Sequence, residues 1–340
     1  MKTKFPKVLL VDDFSGVHSN LLNLLNEEKI DNLLITSGDG YKKILYNNSH
    51  LNVIDMKNNP IEYFFQILRL SRNYDIIQFL NFYRFSIYIN FLIILILKIF
   101  NKEVRYYAVG TDPSFLYGGK FLRHFAWHNN KPPDYSFFSK KIYFLLIKYV
   151  NIYVPNLSYS IGFEKLGYNT KKLFYPRFPK SLFKKNILFK NQDKVVYVPI
   201  SREGFKGFNF ISKACELIKT DSSLSDVIIK KSTRIEFKKY IENIYDCDFL
   251  IDQCLSSDYA MNSILALECG KTVLCGVSED HLKWKGINPS NCPVVDILPN
   301  ENHIYEVLKK VIKNDNFADN DYYLEQFHGK KIILNQFFNK

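Results

Sequence analysis

Apolar and polar positions alternate along the chain in two separate runs of short-strand and amphipathic-helix patterns. The first run opens with the apolar stretch Lys7–Val11. The following SGVHSNLLNLLNEEK places Leu21, Leu22, Leu24 and Leu25 at helical spacing, which predicts strand, loop and helix. Asn32–Thr36, Leu51–Ile54, Ile76–Phe79 and Val104–Val109 read as further strands separated by helical stretches. Pro176 and Pro179 then interrupt the pattern, so Tyr175–Asp193 reads as a linker. Beyond it the alternation restarts, with strands expected at Val195–Pro199, Asp226–Lys230, Phe249–Asp252 and Thr272–Cys275. Helices are expected at Phe208–Lys219, Ile235–Asn243, Asn262–Cys269 and Glu301–Lys313, and Asp321–Phe338 reads as one last helix with aromatic anchors. Such alternation predicts an α/β fold with two parallel sheets, each covered by helices. The expected division is an N-terminal Rossmann-like domain over residues 1–175, a linker over 176–193, a C-terminal Rossmann-like domain over 194–320, and a terminal helix over 321–340 that crosses back to the first lobe.

Composition narrows this picture. A chain of 340 residues is long for one core and comfortable for two, and 47% hydrophobic content excludes wholesale disorder. The longest apolar run, Ile87–Leu97, is shorter than the ~20 residues that a spanning helix needs, so a buried helix is expected, with interfacial contact as the other reading. The opening MKTKFPKVLLVDD shows no signal-peptide pattern. The six cysteines lack CxxC pairs and read as reduced, buried thiols, which suits the cytoplasm. A formal charge of +12 favours anionic partners: nucleic acid, a membrane surface or phosphorylated small molecules. Cations gather at Lys171, Lys172, Arg177, Lys180, Lys184, Lys185, Lys190 and Lys194, interleaved with Phe174, Tyr175, Phe178 and Phe183. That segment reads either as a solvated linker or as a membrane-surface contact.

Three segments carry candidate chemistry. In SREGFKG a strand gives way to a helix, and Arg202 and Lys206 flank a turn in which Gly204 and Gly207 permit tight backbone. Two cations could converge there on one anionic group, stabilising a leaving nucleoside diphosphate without a metal; two exposed loop cations are the alternative. In LIDQCLSSDYAMNSILALECGKTVLCG a helix starts near Asn262, so the amides around Asn262 and Ser263 could bind the same diphosphate, while Glu268 reads as a ribose ligand or an exposed helical carboxylate. In DDFSGVHSN, Gly16 lets backbone approach a ligand; His18 reads as a ligand contact or as a capping or surface residue.

Together these segments, with DIIQFLN and YYAVGTDPS, resemble GT-B glycosyltransferases of the large family 4 type, especially bacterial enzymes that build surface polysaccharides such as capsule or the O-antigen of lipopolysaccharide. The resemblance covers nearly the whole chain. It implies two Rossmann-like lobes with parallel sheets facing across a cleft, and transfer of a sugar from a nucleotide-sugar to a glycan acceptor carried on a polyprenyl diphosphate, at the cytoplasmic face of a membrane. It also implies retention at the anomeric carbon. No cofactor and no metal are expected. By the same resemblance Arg202, Lys206, Gly16, Asn262 and Ser263 would hold the donor phosphates and sugar, Tyr259 and Glu268 the nucleoside, and Asp112 would act in catalysis by orienting hydroxyls. An ordinary turn aspartate before Pro113 is the other reading of Asp112. The sequence departs from the family at two places: Ser257 and Leu265 stand where many relatives carry an E-x(7)-E glutamate pair, and Val109 replaces a histidine.

Other signals compete. KVLLVDD with Asp12, Asp13 and Asp55 resembles a phosphorelay receiver. Asp246 and Asp248 form a D-x-D, the metal signature of a different glycosyltransferase fold. His124, Trp127 and His128 form an aromatic cluster that reads as acceptor contact or packing. A degenerate, non-catalytic relative and a nucleic-acid-binding protein are the remaining alternatives; no recognised nucleic-acid motif accompanies the charge.

Overall fold

The computed structural model describes residues 5–38, 40–42, 52–127, 131–183, 193–200, 204–314 and 320–338. The first lobe runs β1 (Val8–Val11), α1 (Val17–Glu27), β2 (Asn32–Thr36), β3 (Val53–Asp55), α2 (Pro60–Ser71), β4 (Ile76–Phe79), α3 (Ile87–Ile99), β5 (Glu103–Tyr107), α4 (Pro113–Gly119), α5 (Phe137–Leu146), β6 (Asn151–Val154), α6 (Leu157–Lys165) and β7 (Thr170–Lys172). The second continues with β8 (Lys194–Ile200), α7 (Phe208–Thr220), β9 (Val227–Thr233), α8 (Phe237–Tyr245), β10 (Phe249–Ile251), α9 (Met261–Glu268), β11 (Thr272–Cys275), α10 (Glu279–Lys285), β12 (Val294–Asp296), α11 (Glu301–Asn314), α12 (Asn320–His328) and α13 (Lys330–Phe338).

Every strand pair is parallel. The first sheet has the order β3-β2-β1-β4-β5-β6-β7 and the second β12-β11-β10-β8-β9. β1 lies between β2 and β4, with Val8 level with both Asn32 and Ile76, which makes it a central strand buried on both faces. Its side chains alternate accordingly. Val8 and Leu10 enter a cluster with Leu21 and Leu25 of α1, whereas Leu9 and Val11 join Tyr63 of α2 and Ile93 and Leu97 of α3 on the other face. The α1-side cluster continues through Tyr107 and Tyr153 into Leu173, Phe174, Tyr175 and Phe178, and on to Ile264 and Leu267 of the second lobe, so the lobes share one apolar core at the hinge.

Several local features differ from the sequence-based expectations. The tail is two helices broken at Gly329. α12 packs on α9, whereas α13 lies against α1, where Lys330 pairs with Glu27 and Glu28 and Arg105 Nη1 donates to the Phe337 carbonyl at 2.5 Å. β6, β7 and β12, only three or four residues long, were not among the expected strands. α3 is buried on one side only, through Ile87, Asn90, Ile93, Ile94 and Leu97. Of the aromatic residues at the interlobe segment, Phe174, Tyr175 and Phe178 are core residues and Phe183 is partly buried. Among the described residues no helix is long and apolar enough to cross a membrane.

Candidate active-site cleft

In parallel α/β sheets a ligand crevice forms beyond the C-terminal strand ends, where the strand order reverses. The order reverses between β1 and β4 in one sheet and between β8 and β10 in the other, and both points face one cavity of about 700 Å³. Phe14, Ser15, Asn81 and Tyr83 follow β1 and β4 on one wall; Phe205, Lys206, Asp252 and Gln253 follow β8 and β10 on the other. The volume suits a ligand of nucleotide-sugar size.

The second-lobe wall is organised by Asp252, a buried carboxylate just beyond β10. Its Oδ1 accepts from Lys206 Nζ and, at 3.2 Å, from Asn262 Nδ2; its Oδ2 accepts from Ser263 Oγ at 3.0 Å. Three of the residues singled out in the sequence are therefore brought together by a carboxylate that was not. The Lys206 carbonyl also accepts from the Cys254 amide at 3.0 Å, tying the turn after β8 to the loop after β10. This close approach requires Gly207: its φ is +75°, and a Cβ there would lie 2.4 Å from Cys254 Sγ. The start of α9, at Met261 and Asn262, sits on the cleft wall, and its N-cap residue Ala260 supplies no side-chain cap. Arg202 lies outside the described residues. Arg234, exposed beyond the end of β9, lines the same wall.

On the first-lobe wall, Asp13 closes the start of α1. Its carboxylate accepts from the amides of His18 at 2.9 Å and Ser19 at 3.3 Å and from Ser19 Oγ at 2.5 Å, so these amides face an internal carboxylate rather than the cleft. Gly16 is the N-cap, with φ +75°, buried directly behind the cleft-lining Ser15 and Val17. His18 is fully buried: Nδ1 donates to the Asp12 carbonyl at 2.8 Å, and Nε2 accepts from Gln78 Nε2 at 3.1 Å. Burial pushes its pKa down to about 3, so it is a neutral core histidine. Lys42 Nζ reaches Ser15 Oγ at 3.0 Å on the cleft edge. Asp112 lines the cleft and is the N-cap of α4. It accepts from the Phe115 amide at 2.8 Å and from Tyr106 OH at 2.6 Å, and burial raises its pKa to about 6 against these hydrogen bonds. Asp112 is thus the turn and cap aspartate before Pro113, and it also faces the cleft.

Tyr259 and Glu268 lie elsewhere; neither lines the cleft. Tyr259 is fully buried in a polar hub, where its hydroxyl contacts Tyr323 OH at 2.5 Å and His328 Nε2 at 3.0 Å and accepts from Lys285 Nζ at 2.7 Å. His328 Nδ1 in turn donates to the Tyr175 carbonyl at 2.7 Å. Burial lowers the Lys285 pKa to about 7. Glu268 receives a two-pronged contact from Arg177, whose Nε and Nη2 donate at 2.7 and 2.8 Å. Of the receiver-like acids, Asp12 accepts from the Asp13 amide and Asp13 caps α1, whereas Asp55 is exposed at the end of β3 in a seven-stranded sheet; Asp248 accepts from the Val195 amide at 2.9 Å in the second lobe. His124 lines the cleft, and Trp127 meets Phe205 of the other lobe at 5.3 Å between ring centroids. His128 lies outside the described residues.

Lys206, Asn262 and Asp112 were legible as polar residues at strand or helix ends. Asp252 carried the same signal, a carboxylate at the C-terminal end of an apolar strand, and Arg234 is a cation just past one. Lys42 reaches the cleft from a distant segment and gave no local signal.

No protein-family model matches the chain, and no curated protein matches it. Solved structures do. The chain is similar to HepE from Anabaena, solved with UDP (13% identity, 98% of each chain covered, TM-score 0.66), and to sucrose-phosphate synthase from Thermosynechococcus elongatus (10%, 98% of each, 0.65). It is also similar to the pneumococcal O-GlcNAc transferase GtfA, solved with UDP and GlcNAc (8%, 98% of each, 0.58). The fold is that of GT-B glycosyltransferases: two α/β domains with parallel sheets on either side of a cleft.

Proposed function

We propose that the chain is a glycosyltransferase that binds a nucleotide-sugar on the second-lobe wall and transfers its glycosyl group to a glycan acceptor held against the first. The observation that carries this reading is the Lys206–Asp252–Asn262–Ser263 constellation beside the start of α9, at the switch point of the second sheet. As the glycosidic bond breaks, negative charge grows on the departing diphosphate. The Lys206 ammonium, held in place by Asp252, and the positive end of α9 stabilise that charge, with Arg202 as a second cation. Gly16 keeps the backbone behind Ser15 compact, leaving room for the donor sugar. Asp112, across the cleft, orients hydroxyls of the reacting sugars; a pKa near 6 also suits it to accept a proton at neutral pH. With Tyr259 and Glu268 committed to the hub and to Arg177, the nucleoside lies toward Arg234. The finer reading is a family 4-type, retaining, metal-independent enzyme acting on a polyprenyl-diphosphate-linked glycan at a membrane surface, in bacterial surface-polysaccharide assembly. Its support is the motif resemblance in the sequence.

The test is calorimetric binding of nucleoside diphosphates and nucleotide-sugars to wild type, Arg202→Ala and the double variant Lys206→Met with Asp252→Asn. The double variant removes both buried charges together, so no lone carboxylate is left behind. Each is expected to weaken diphosphate binding about tenfold or more. Unchanged affinity in both would sink the assigned site, and no binding by wild type would identify a degenerate relative.

A further inference from the structure

Helices α2, α3 and α5 cover the face of the seven-stranded sheet opposite α1, with α3 packed against both of the others. Their inner sides fill the core, yet their outer sides are also apolar. Phe65 on α2, Tyr88, Leu92 and Ile99 on α3, and Phe137 and Phe138 at the start of α5 are all exposed, Ile99 and Phe138 by 76% and 68%. Tyr88, Leu92 and Ile99 recur at helical spacing, so they form a stripe along one side of a 13-residue helix whose only charged residue is Lys98. A surface of this kind marks a contact site.

Charge and position identify the occupant. Across α2, α3, α5 and the turn Ile147–Tyr149, five exposed cations, Arg69, Lys98, Lys140, Lys141 and Lys148, accompany a single acid, Glu62. A second copy of this face would bring two basic surfaces together, whereas an anionic bilayer neutralises the cations and takes up the aromatic side chains at headgroup depth. The face also adjoins the cleft. Cleft-lining Tyr83 and Tyr135 pack together at 4.5 Å between ring centroids, Tyr83 shortly before α3 and Tyr135 just before Phe137.

We infer that the α2–α3–α5 face docks the first lobe onto an anionic lipid bilayer, with the α3 and α5 starts at the surface and the acceptor side of the cleft opening beside it. This deepens the membrane part of the reading above and places the contact on a different surface from the interlobe segment, whose Phe174, Tyr175 and Phe178 are buried. It does not depend on the sugar chemistry.

The experiment is sedimentation of the full chain with vesicles of mixed phosphatidylglycerol and phosphatidylcholine, against pure phosphatidylcholine, with nucleotide binding and circular dichroism measured on every variant. Wild type is expected to bind the mixed vesicles only. Lys140→Ala, Lys141→Ala and Lys148→Ala together should weaken that binding about a hundredfold, and Phe137→Ser with Phe138→Ser about tenfold. The second-lobe control Lys213→Ala, Lys219→Ala and Lys239→Ala should retain it. Equal losses in the two lysine triples, no binding by wild type, or a solution dimer that the phenylalanine variant dissociates would each overturn the inference. Vesicle binding without nucleotide binding would leave it standing and sink the glycosyltransferase reading alone.

Discussion

Replacing Glu268 with glutamine should destabilise the protein and leave nucleotide binding intact. The Glu268 side chain is 3% exposed and that of Arg177 9%, and the guanidinium forks onto both carboxylate oxygens. Breaking a buried pair of this kind costs about 3–5 kcal/mol, because one charge is left behind. Here the stranded guanidinium keeps Asp321 at 2.6 Å and Glu325 at 3.1 Å, but their side chains are 69% and 61% exposed, and exposed partners return little. The net loss should be about 3 kcal/mol, read as a lower urea midpoint at unchanged slope. The loss matters beyond α9, because Arg177 ties the interlobe segment to α12 as well. Nucleoside diphosphate titrations on the same samples decide the role of the carboxylate. A loss of affinity of about tenfold at unchanged stability would mean that Glu268 touches the nucleoside and that its pairing with Arg177 is incidental.

Two further substitutions test the cleft itself. Asp112 holds its proton more tightly in the fold than in the unfolded chain, with a pKa of about 6 against 3.8, so its contribution to stability is complete below the ordinary carboxylate range and is lost as pH rises toward 6. Asp112→Asn keeps an N-cap side chain and removes that slope; urea unfolding at neutral pH should show the variant more stable by up to about 3 kcal/mol, and a variant less stable than wild type would show that the carboxylate is held favourably. Gly207→Ala combines a left-handed backbone with a clash on Cys254, whereas Gly270→Ala, at φ +69° with nothing within 4 Å of its Cβ, meets the backbone cost alone. The first should cost about 1–3 kcal/mol more than the second in the same assay and should weaken diphosphate binding through Lys206; equal costs would show that the turn yields easily.

What was legible in the sequence and what was not divides along chain separation. The central strands were read to the residue or nearly so, because VLLV, NLLIT and IIQF are apolar runs of the kind that a strand buried on both faces must have. The Thr-Lys-Lys of β7 is a partly exposed edge strand whose identity comes from its pairing with β6, so no local pattern marks it. Gly329 sat inside a plausible helical pattern, and only the different packing of α12 and α13 turns it into a break. The site follows the same rule. Lys206 and Asn262 were visible because strand and helix ends are local features, but the carboxylate joining them is 46 residues from Lys206. Tyr259 and Glu268 sit in the segment whose motif suggested a nucleoside pocket, and their roles are set by His328 and Arg177, 69 and 91 residues away. A polar residue next to a binding loop has two ways to be satisfied, by a ligand or by a partner folded in from elsewhere, and local spacing is the same in both cases. In this chain the interlobe segment and the tail supply the partners, which turns two candidate ligand contacts into the joint that holds the cleft's walls together.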